Sequence, residues 1–125
     1  MTYSISEAAR LLGIAPSTLR YYDKEGLLPF IGRTESGARV FREEDFDALR
    51  LIQCLKKTGM TIRAIREFIE LPAGSEDTAA RRLSILTAQQ KVLRQKMDEL
   101  RDMMRLIDYK IEYYQPDHAK RAPEG

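Results

Sequence analysis

One cysteine and one histidine in 125 residues remove two ways of stabilising a small domain. A lone cysteine cannot form an intrachain disulfide framework, and Cys54 with His118 cannot complete a conventional zinc site within the chain. Long apolar runs are also missing. The N-terminus lacks the hydrophobic stretch of a signal peptide, and no segment approaches membrane-spanning length, so the expected compartment is a reducing cytoplasm. Charge of one sign is missing too: 21 basic residues nearly cancel 19 acidic ones, for a net +2. A role with nucleic acid must therefore rest on where the basic side chains sit, not on their sum. There is no Ser-His-Asp order, no glycine loop to cradle phosphate and no evident pair of carboxylates, so an enzyme is not expected and no cofactor is implied. What is present is a 43% hydrophobic chain, enough for one modest domain or for a small head with an appendage.

The first half is punctuated by glycine and proline. Ser6 is the expected N-cap of a first helix running through Arg10, Leu11 and Leu12, which Gly13 ends. Pro16 suits the first position of a second helix, from Ser17 to about Glu25, stopping at Gly26. Two short helices joined by a tight glycine turn make a helix-turn-helix. Helical periodicity then disappears from Pro29 to Phe41, where Phe30-Ile31 and Arg39-Val40-Phe41 flank Thr34-Glu35-Ser36-Gly37, the pattern of a β-hairpin wing. A third helix follows, with Glu43, Glu44 and Asp45 at its positive end, Phe46, Leu49, Ile52 and Leu55 on one face, and Gly59 closing it. Thr61 caps a fourth, striped by Ile62, Ile65, Phe68 and Ile69.

Leu71 to Ser75 forms a break, and neither proline nor glycine recurs until Pro116. From Ala79, apolar side chains fall at Leu83, Leu86, Leu93, Met97, Leu100, Met104, Ile107, Ile111 and Tyr114, alternating steps of four and three if Gln90 fills one polar slot. That 3.5-residue period over about five heptads predicts a coiled coil, on the order of 50 Å long. A head of about 70 residues cannot cover such a stripe, and leaving each Leu, Ile or Met in water forfeits roughly 1.5–3 kcal/mol. A second copy of the chain is the simplest partner; a helix folded back onto its own head is the alternative. The expected organisation is a head over 1–74, a dimerisation helix over 75–115 with Leu86, Leu93, Met97, Leu100, Met104, Ile107 and Ile111 in the interface, and a flexible tail over 116–125.

On the second helix, Leu19 and Tyr22 share one face, while Ser17, Arg20, Tyr21 and Lys24 follow i, i+3, i+4, i+7 along the other. A guanidinium, an ammonium, a phenol and a hydroxyl in one narrow stripe suit phosphates and base edges, although charge on a helix surface is by itself ordinary. Arg33 and Arg39 on the hairpin, with Arg42 just past it, would hold the neighbouring DNA backbone and fix register. Lys56, Lys57, Arg63 and Arg66 form a weaker basic group, of which Lys56 and Lys57 equally suit a solvated helix end.

Ile5-Ser6-Glu7-Ala8-Ala9-Arg10-Leu11-Leu12-Gly13, then Ser17-Thr18-Leu19-Arg20-Tyr21-Tyr22 and Gly26-Leu27-Leu28-Pro29, resemble the start of MerR-family regulators. Arg33, Gly37, Arg39-Val40-Phe41, Glu44-Asp45 and Leu55-Lys56-Lys57-Thr58-Gly59-Met60 continue the resemblance, which covers the whole head. Two positions depart from the pattern: Ala15 replaces a common serine cap, and Arg42 stands where a hydroxyl often precedes the third helix. The resemblance implies a mainly α fold, a winged helix-turn-helix head with an antiparallel coiled-coil dimer. It also implies a homodimer that binds a palindromic promoter operator in double-stranded DNA, bending and untwisting it so that RNA polymerase engages both promoter elements. Carried over by position, the DNA-contacting residues are Ser17, Thr18, Arg20, Tyr21, Lys24, Arg33 and Arg39.

The family divides by its C-terminal part, and this chain has the form of a short member without a large effector domain. The family's metal sensors carry cysteines around the start of the long helix and in a loop after it. Here Ser75 to Ala79 and Pro116 to Gly125 contain none, which disfavours metal sensing, and His118 reads as a solvated side chain in a polar tail. Cys54 has Arg50 at i−4 and Lys57 at i+3, cations that favour a thiolate, opposed by the helix's negative end. A thiol-dependent, aldehyde-responsive subgroup of the family has a similar Cys-Leu-Lys setting. Cys54 is accordingly a candidate sensor, the alternative being an inert buried thiol. A coiled-coil adaptor without DNA binding remains a second class, but it accounts for the long helix alone.

Overall fold

The computed structural model describes residues 1–117. Along the chain run β1 (Thr2–Tyr3), α1 (Ile5–Leu12), α2 (Pro16–Lys24), β2 (Gly32–Arg33), β3 (Arg39–Arg42), a 3-10 turn (Glu43–Asp45), α3 (Phe46–Lys57), α4 (Ile62–Glu70) and α5 (Glu76–Tyr113). The fold is mainly helical, a winged helix-turn-helix head with a long C-terminal helix, as the sequence pattern implies.

The cap of α1 is Ser4, not the expected Ser6. Ser4 Oγ accepts from the Glu7 N–H at 3.1 Å, and Glu7 Oε1 accepts from the Ser4 N–H at 2.8 Å. This reciprocal box satisfies two donors that helix starts leave unpaired. The Ser4 backbone N–H, and after it the Ser4 hydroxyl, hold the Glu7 carboxyl below the usual carboxylate range. Gly13 ends the helix at φ 72°, a conformation that costs a side-chain-bearing residue about 1–2 kcal/mol.

The hairpin forms with β3 at the centre of a three-stranded antiparallel sheet, order β1-β3-β2. Thr2 and Tyr3 pair with Arg42 and Phe41, and Gly32 and Arg33 pair with Val40 and Arg39. β1 was not anticipated. Tyr3 holds it down by donating to Glu43 Oε1 and packing edge-on against Phe46 at 5.4 Å between ring centroids. The hydrogen bond to Glu43 is the main reason the Tyr3 phenol titrates above its ordinary range.

Glu43, Glu44 and Asp45 form a 3-10 turn leading into α3, not its first turn. Asp45 is buried, and its Oδ2 accepts from the Arg42 N–H at 2.8 Å. The carboxylate reaching back satisfies the Arg42 N–H, while position 42 itself offers no side-chain acceptor to the N–H groups of the turn. Thr58 is the C-cap of α3, its Oγ1 donating to the Leu55 carbonyl at 2.7 Å, and Gly59 after it closes the helix as expected, at φ 96°. Thr61 caps α4 as expected, its Oγ1 accepting from the Ala64 N–H.

Two compact units divide the chain, Met1–Gln89 and the part from Gln90 onward. In the first, Leu19, Leu27, Leu28, Phe41, Leu49 and Ile65 are fully buried, so the core joins α2, the segment after it, β3, α3 and α4. The opening turns of α5 belong to this unit. Ile85 and Leu86 pack partly buried against its core, Arg82 donates to the Leu71 carbonyl at 2.6 Å, and Gln89 Nε2 donates to Thr58 Oγ1 at 2.6 Å. Leu86, expected in the dimer seam, is therefore partly covered by its own head. In the second unit α5 continues to Tyr113, and Leu93, Met97, Leu100, Met104, Ile107 and Ile111 are all exposed, Leu100 at 63%. Most of the segment expected as a tail, His118 included, lies outside the described residues.

Candidate nucleic-acid interface

Pro16 opens α2 at its first helical position, where a missing N–H costs nothing. The preceding Ala15 has the extended backbone of a cap but no side-chain bond to give, so α2 is held by packing rather than by its start. That packing uses Leu19, fully buried, and Tyr22, 8% exposed. Burial is the larger reason the Tyr22 phenol is pushed up, with the neighbouring Tyr21 second.

With Leu19 and Tyr22 turned inward, Ser17, Arg20, Tyr21 and Lys24 are left exposed on α2, and Thr18 is half-buried beside them. The structure thus brings the expected stripe together on one accessible face. Arg20 and Lys24 have no ion-pair partner among the described residues. Unpaired cations on one helix face are a poor contribution to stability and a good one to binding polyanions.

The wing is tightly organised. The Thr34 N–H donates to the Ala38 carbonyl at 2.7 Å, and the Ala38 N–H donates to Thr34 Oγ1 at 3.1 Å. Arg33 Nη1 donates across the turn to the Gly37 carbonyl at 2.8 Å. Gly37 sits at φ 91°, which only glycine adopts readily. Arg33 itself is exposed, so most of its guanidinium is available to a partner.

Arg39, expected as a DNA contact, is engaged within the head. Its Nε and Nη2 lie 2.9 and 2.6 Å from Asp23 Oδ1, and Nη1 donates to the Ile31 carbonyl at 2.5 Å. The weaker basic group also disperses: Arg66 donates to the Glu25 carbonyl at 2.7 Å and pairs with the Glu25 carboxylate at 3.3 Å, while Arg63 pairs with Glu67 along α4. Arg42 pairs with Glu44. Lys56 and Lys57 are exposed at the end of α3, where they complement the helix dipole. Sequence reading missed the pairing of Arg39 with Asp23 because the residues are 16 apart and meet only when β3 is laid beside α2.

Cys54 is exposed on α3, so it is not the buried thiol of the alternative reading.

A family model described as MerR HTH family regulatory protein matches residues 3–71, and one described as MerR, DNA binding, matches residues 46–109. The chain belongs to the MerR family. It is 44% identical over 119 residues to an uncharacterised HTH-type transcriptional regulator of Haemophilus influenzae, a match spanning 95% of this chain and 88% of that protein. The transcriptional regulator AdhR of Bacillus subtilis is 33% identical over 90 residues, covering 72% of this chain and 64% of its own. Among solved structures, the fold matches that of HiNmlR, a MerR family regulator lacking the sensor domain, bound to promoter DNA. That match has a TM-score of 0.83 at 44% identity and covers 95% of this chain and 94% of that one. A MerR family regulator from Bacillus thuringiensis matches with a TM-score of 0.81 at 37% identity, over 91% of this chain and all of that one. This MerR-family chain is a DNA-binding transcriptional regulator.

Proposed function

We propose that the protein acts in the cytoplasm as a homodimer on a palindromic promoter operator, with α2 of each head in a major groove and each wing on the flanking backbone. The observation that carries this is the exposed Ser17–Arg20–Tyr21–Lys24 stripe, with the exposed Arg33 of the wing in register with Arg39, which pairs with Asp23 of the same helix. An arginine on such a face can donate two hydrogen bonds to a guanine edge, and the lysine and wing arginine supply phosphate contacts that fix register. The exposed apolar series from Leu93 to Ile111 supports pairing of two chains, because six such side chains left in water would forfeit roughly 1.5–3 kcal/mol each. A solved relative at 44% identity is bound to promoter DNA, which supports a promoter as the target. Two heads on one operator would bend and untwist the DNA between them, presenting both promoter elements to RNA polymerase.

The test is binding of the purified protein to intergenic DNA beside its own gene, against a shuffled duplex of equal composition. Specific, salt-dependent binding of two chains per duplex is expected. Equal binding to both duplexes would contradict the proposal, and indifference to DNA would favour the coiled-coil adaptor.

Thiol-based sensing through Cys54 is favoured by one observation, that the residue is exposed on α3, as a thiol that meets an electrophile must be. A Cys54→Ala protein that still answers aldehyde in a promoter-reporter assay would eliminate it.

A further inference from the structure

A wing built on so little sheet needs something besides its ladder to keep it in place. β2 has two residues and pairs with β3 through two register positions only, Gly32 with Val40 and Arg33 with Arg39. A two-stranded ribbon of that size is marginal by itself. The turn bonds within Thr34–Ala38 shape the tip but do not tie it to the recognition helix.

Arg39 supplies that tie. Both Nε and Nη2 meet one oxygen of Asp23, in the last turn of α2, while Nη1 meets the carbonyl of Ile31, just before β2. One planar guanidinium therefore joins three segments: β3 by its own backbone, the approach to β2, and the end of the recognition helix. The pair is largely withdrawn from solvent, with side-chain exposures of 15% for Arg39 and 21% for Asp23. Little of the guanidinium is left to meet a phosphate. The pairing also neutralises Asp23 next to Lys24, where a bare carboxylate would repel a DNA backbone.

We infer that Arg39 and Asp23 are a positioning pair for DNA recognition, holding the wing that carries Arg33 at a set place beside the Arg20–Tyr21–Lys24 face, and are not themselves DNA ligands. This rests on the proposed DNA-reading role of that face. It separates the two wing arginines that sequence alone treats alike: Arg33 touches the partner, and Arg39 places Arg33. Lysine is a poor substitute at position 39, because a single ammonium cannot reproduce the fork that spans a carboxylate and a carbonyl.

The experiment compares Arg39→Gln, Arg39→Lys, Asp23→Asn and the Arg39→Gln/Asp23→Asn double variant with the unaltered protein. Binding is read by anisotropy of a labelled duplex cut from the intergenic DNA beside the gene, against its shuffled counterpart. Amide hydrogen exchange of the wing, residues 32–38, is read in the same proteins without DNA. Each single variant, Asp23→Asn and the charge-conserving Arg39→Lys included, should lose about tenfold in specific affinity, and the double should be no weaker than the worse single. Wing amides should exchange faster in every variant, while those of α1 and α3 match the unaltered protein, showing that the head is folded. If Arg39 were instead a phosphate ligand, Asp23→Asn would release it and remove a nearby negative charge. Binding by Asp23→Asn as tight as the original or tighter, or wing exchange unmoved in all variants, overturns the inference. Should the unaltered protein not prefer its own intergenic duplex, the DNA-reading proposal fails, and hydrogen exchange still decides whether the pair holds the wing.

Discussion

The stretch up to Gln89 and the helix beyond it spend their apolar residues in opposite ways. Phe41, Leu19 and Leu49 vanish into the head, and even the start of α5 is drawn in through Ile85, Leu86 and Gln89. From Leu93 to Ile111 the same kinds of side chain stand in solvent, and no residue of α5 is buried. A head that completes its own core folds as a unit, whereas a regular apolar stripe with nothing against it is a surface waiting for its like. The comparison predicts that damage to one region unfolds the protein and damage to the other only takes the dimer apart.

The largest effect belongs to the head. Phe41→Ala, at the centre of the sheet and core, should destabilise by about 3–5 kcal/mol in urea unfolding. A loss below about 1 kcal/mol would mean the core is not as closed as its burial indicates. Next comes the seam: Leu100→Asp should leave the head's helical signal and cooperative melt intact while the protein sediments as a single chain at micromolar concentration. With the heads uncoupled, operator affinity should fall roughly a hundredfold. A Leu100→Asp protein that remains dimeric would move the interface elsewhere. Arg20→Ala should leave both regions folded and paired, yet lower specific binding roughly tenfold to a hundredfold, with shuffled DNA affected far less. Equal losses on the two duplexes would make Arg20 a phosphate contact only.

The smallest effect sharpens the account of how the head begins. Ser4→Ala should cost about 0.5–2 kcal/mol by removing the α1 cap, whereas Ser6→Ala should be near neutral. The Glu7 carboxyl, held below its ordinary value of 4.5 in the folded state, lends stability that is present above that value. That stability is lost as pH falls through the lowered folded value. Glu7→Gln should accordingly lower stability at neutral pH and converge with the unaltered protein as the carboxyl protonates, which flattens the acid side of the stability profile. An unchanged acid limb would remove Glu7 from the cap.

The features legible in the sequence are those written in local periodicity and punctuation. Pro16, Gly13 and the Leu19/Tyr22 face outline the helix-turn-helix, Thr34 to Gly37 marks the wing, and the four-three alternation from Leu83 marks the long helix. Ser4 was overlooked although Ser4-Ile5-Ser6-Glu7 spells a capping box, since Ser6 stood closer to the apolar run. β1 is too short for any alternation to announce it. The pairing of Arg39 was hidden for a different reason: its partners, Asp23 and the Ile31 carbonyl, are defined by how β3 lies against α2, a long-range fact that residue type does not carry. The lock of Gln89 on Thr58, 31 residues away, is hidden in the same way. Cys54 stands between half-buried Gln53 and buried Leu55, a place from which residue order alone does not decide exposure.

The central claim is that two chains joined beyond Gln90 set two recognition helices on one duplex. Native mass spectrometry of the protein with its own intergenic duplex tests this most directly, run beside Leu100→Asp at the same concentration. The account predicts two chains per duplex for the unaltered protein and loss of that complex in Leu100→Asp. A stable complex of one chain per duplex, formed equally well by both proteins, would contradict it.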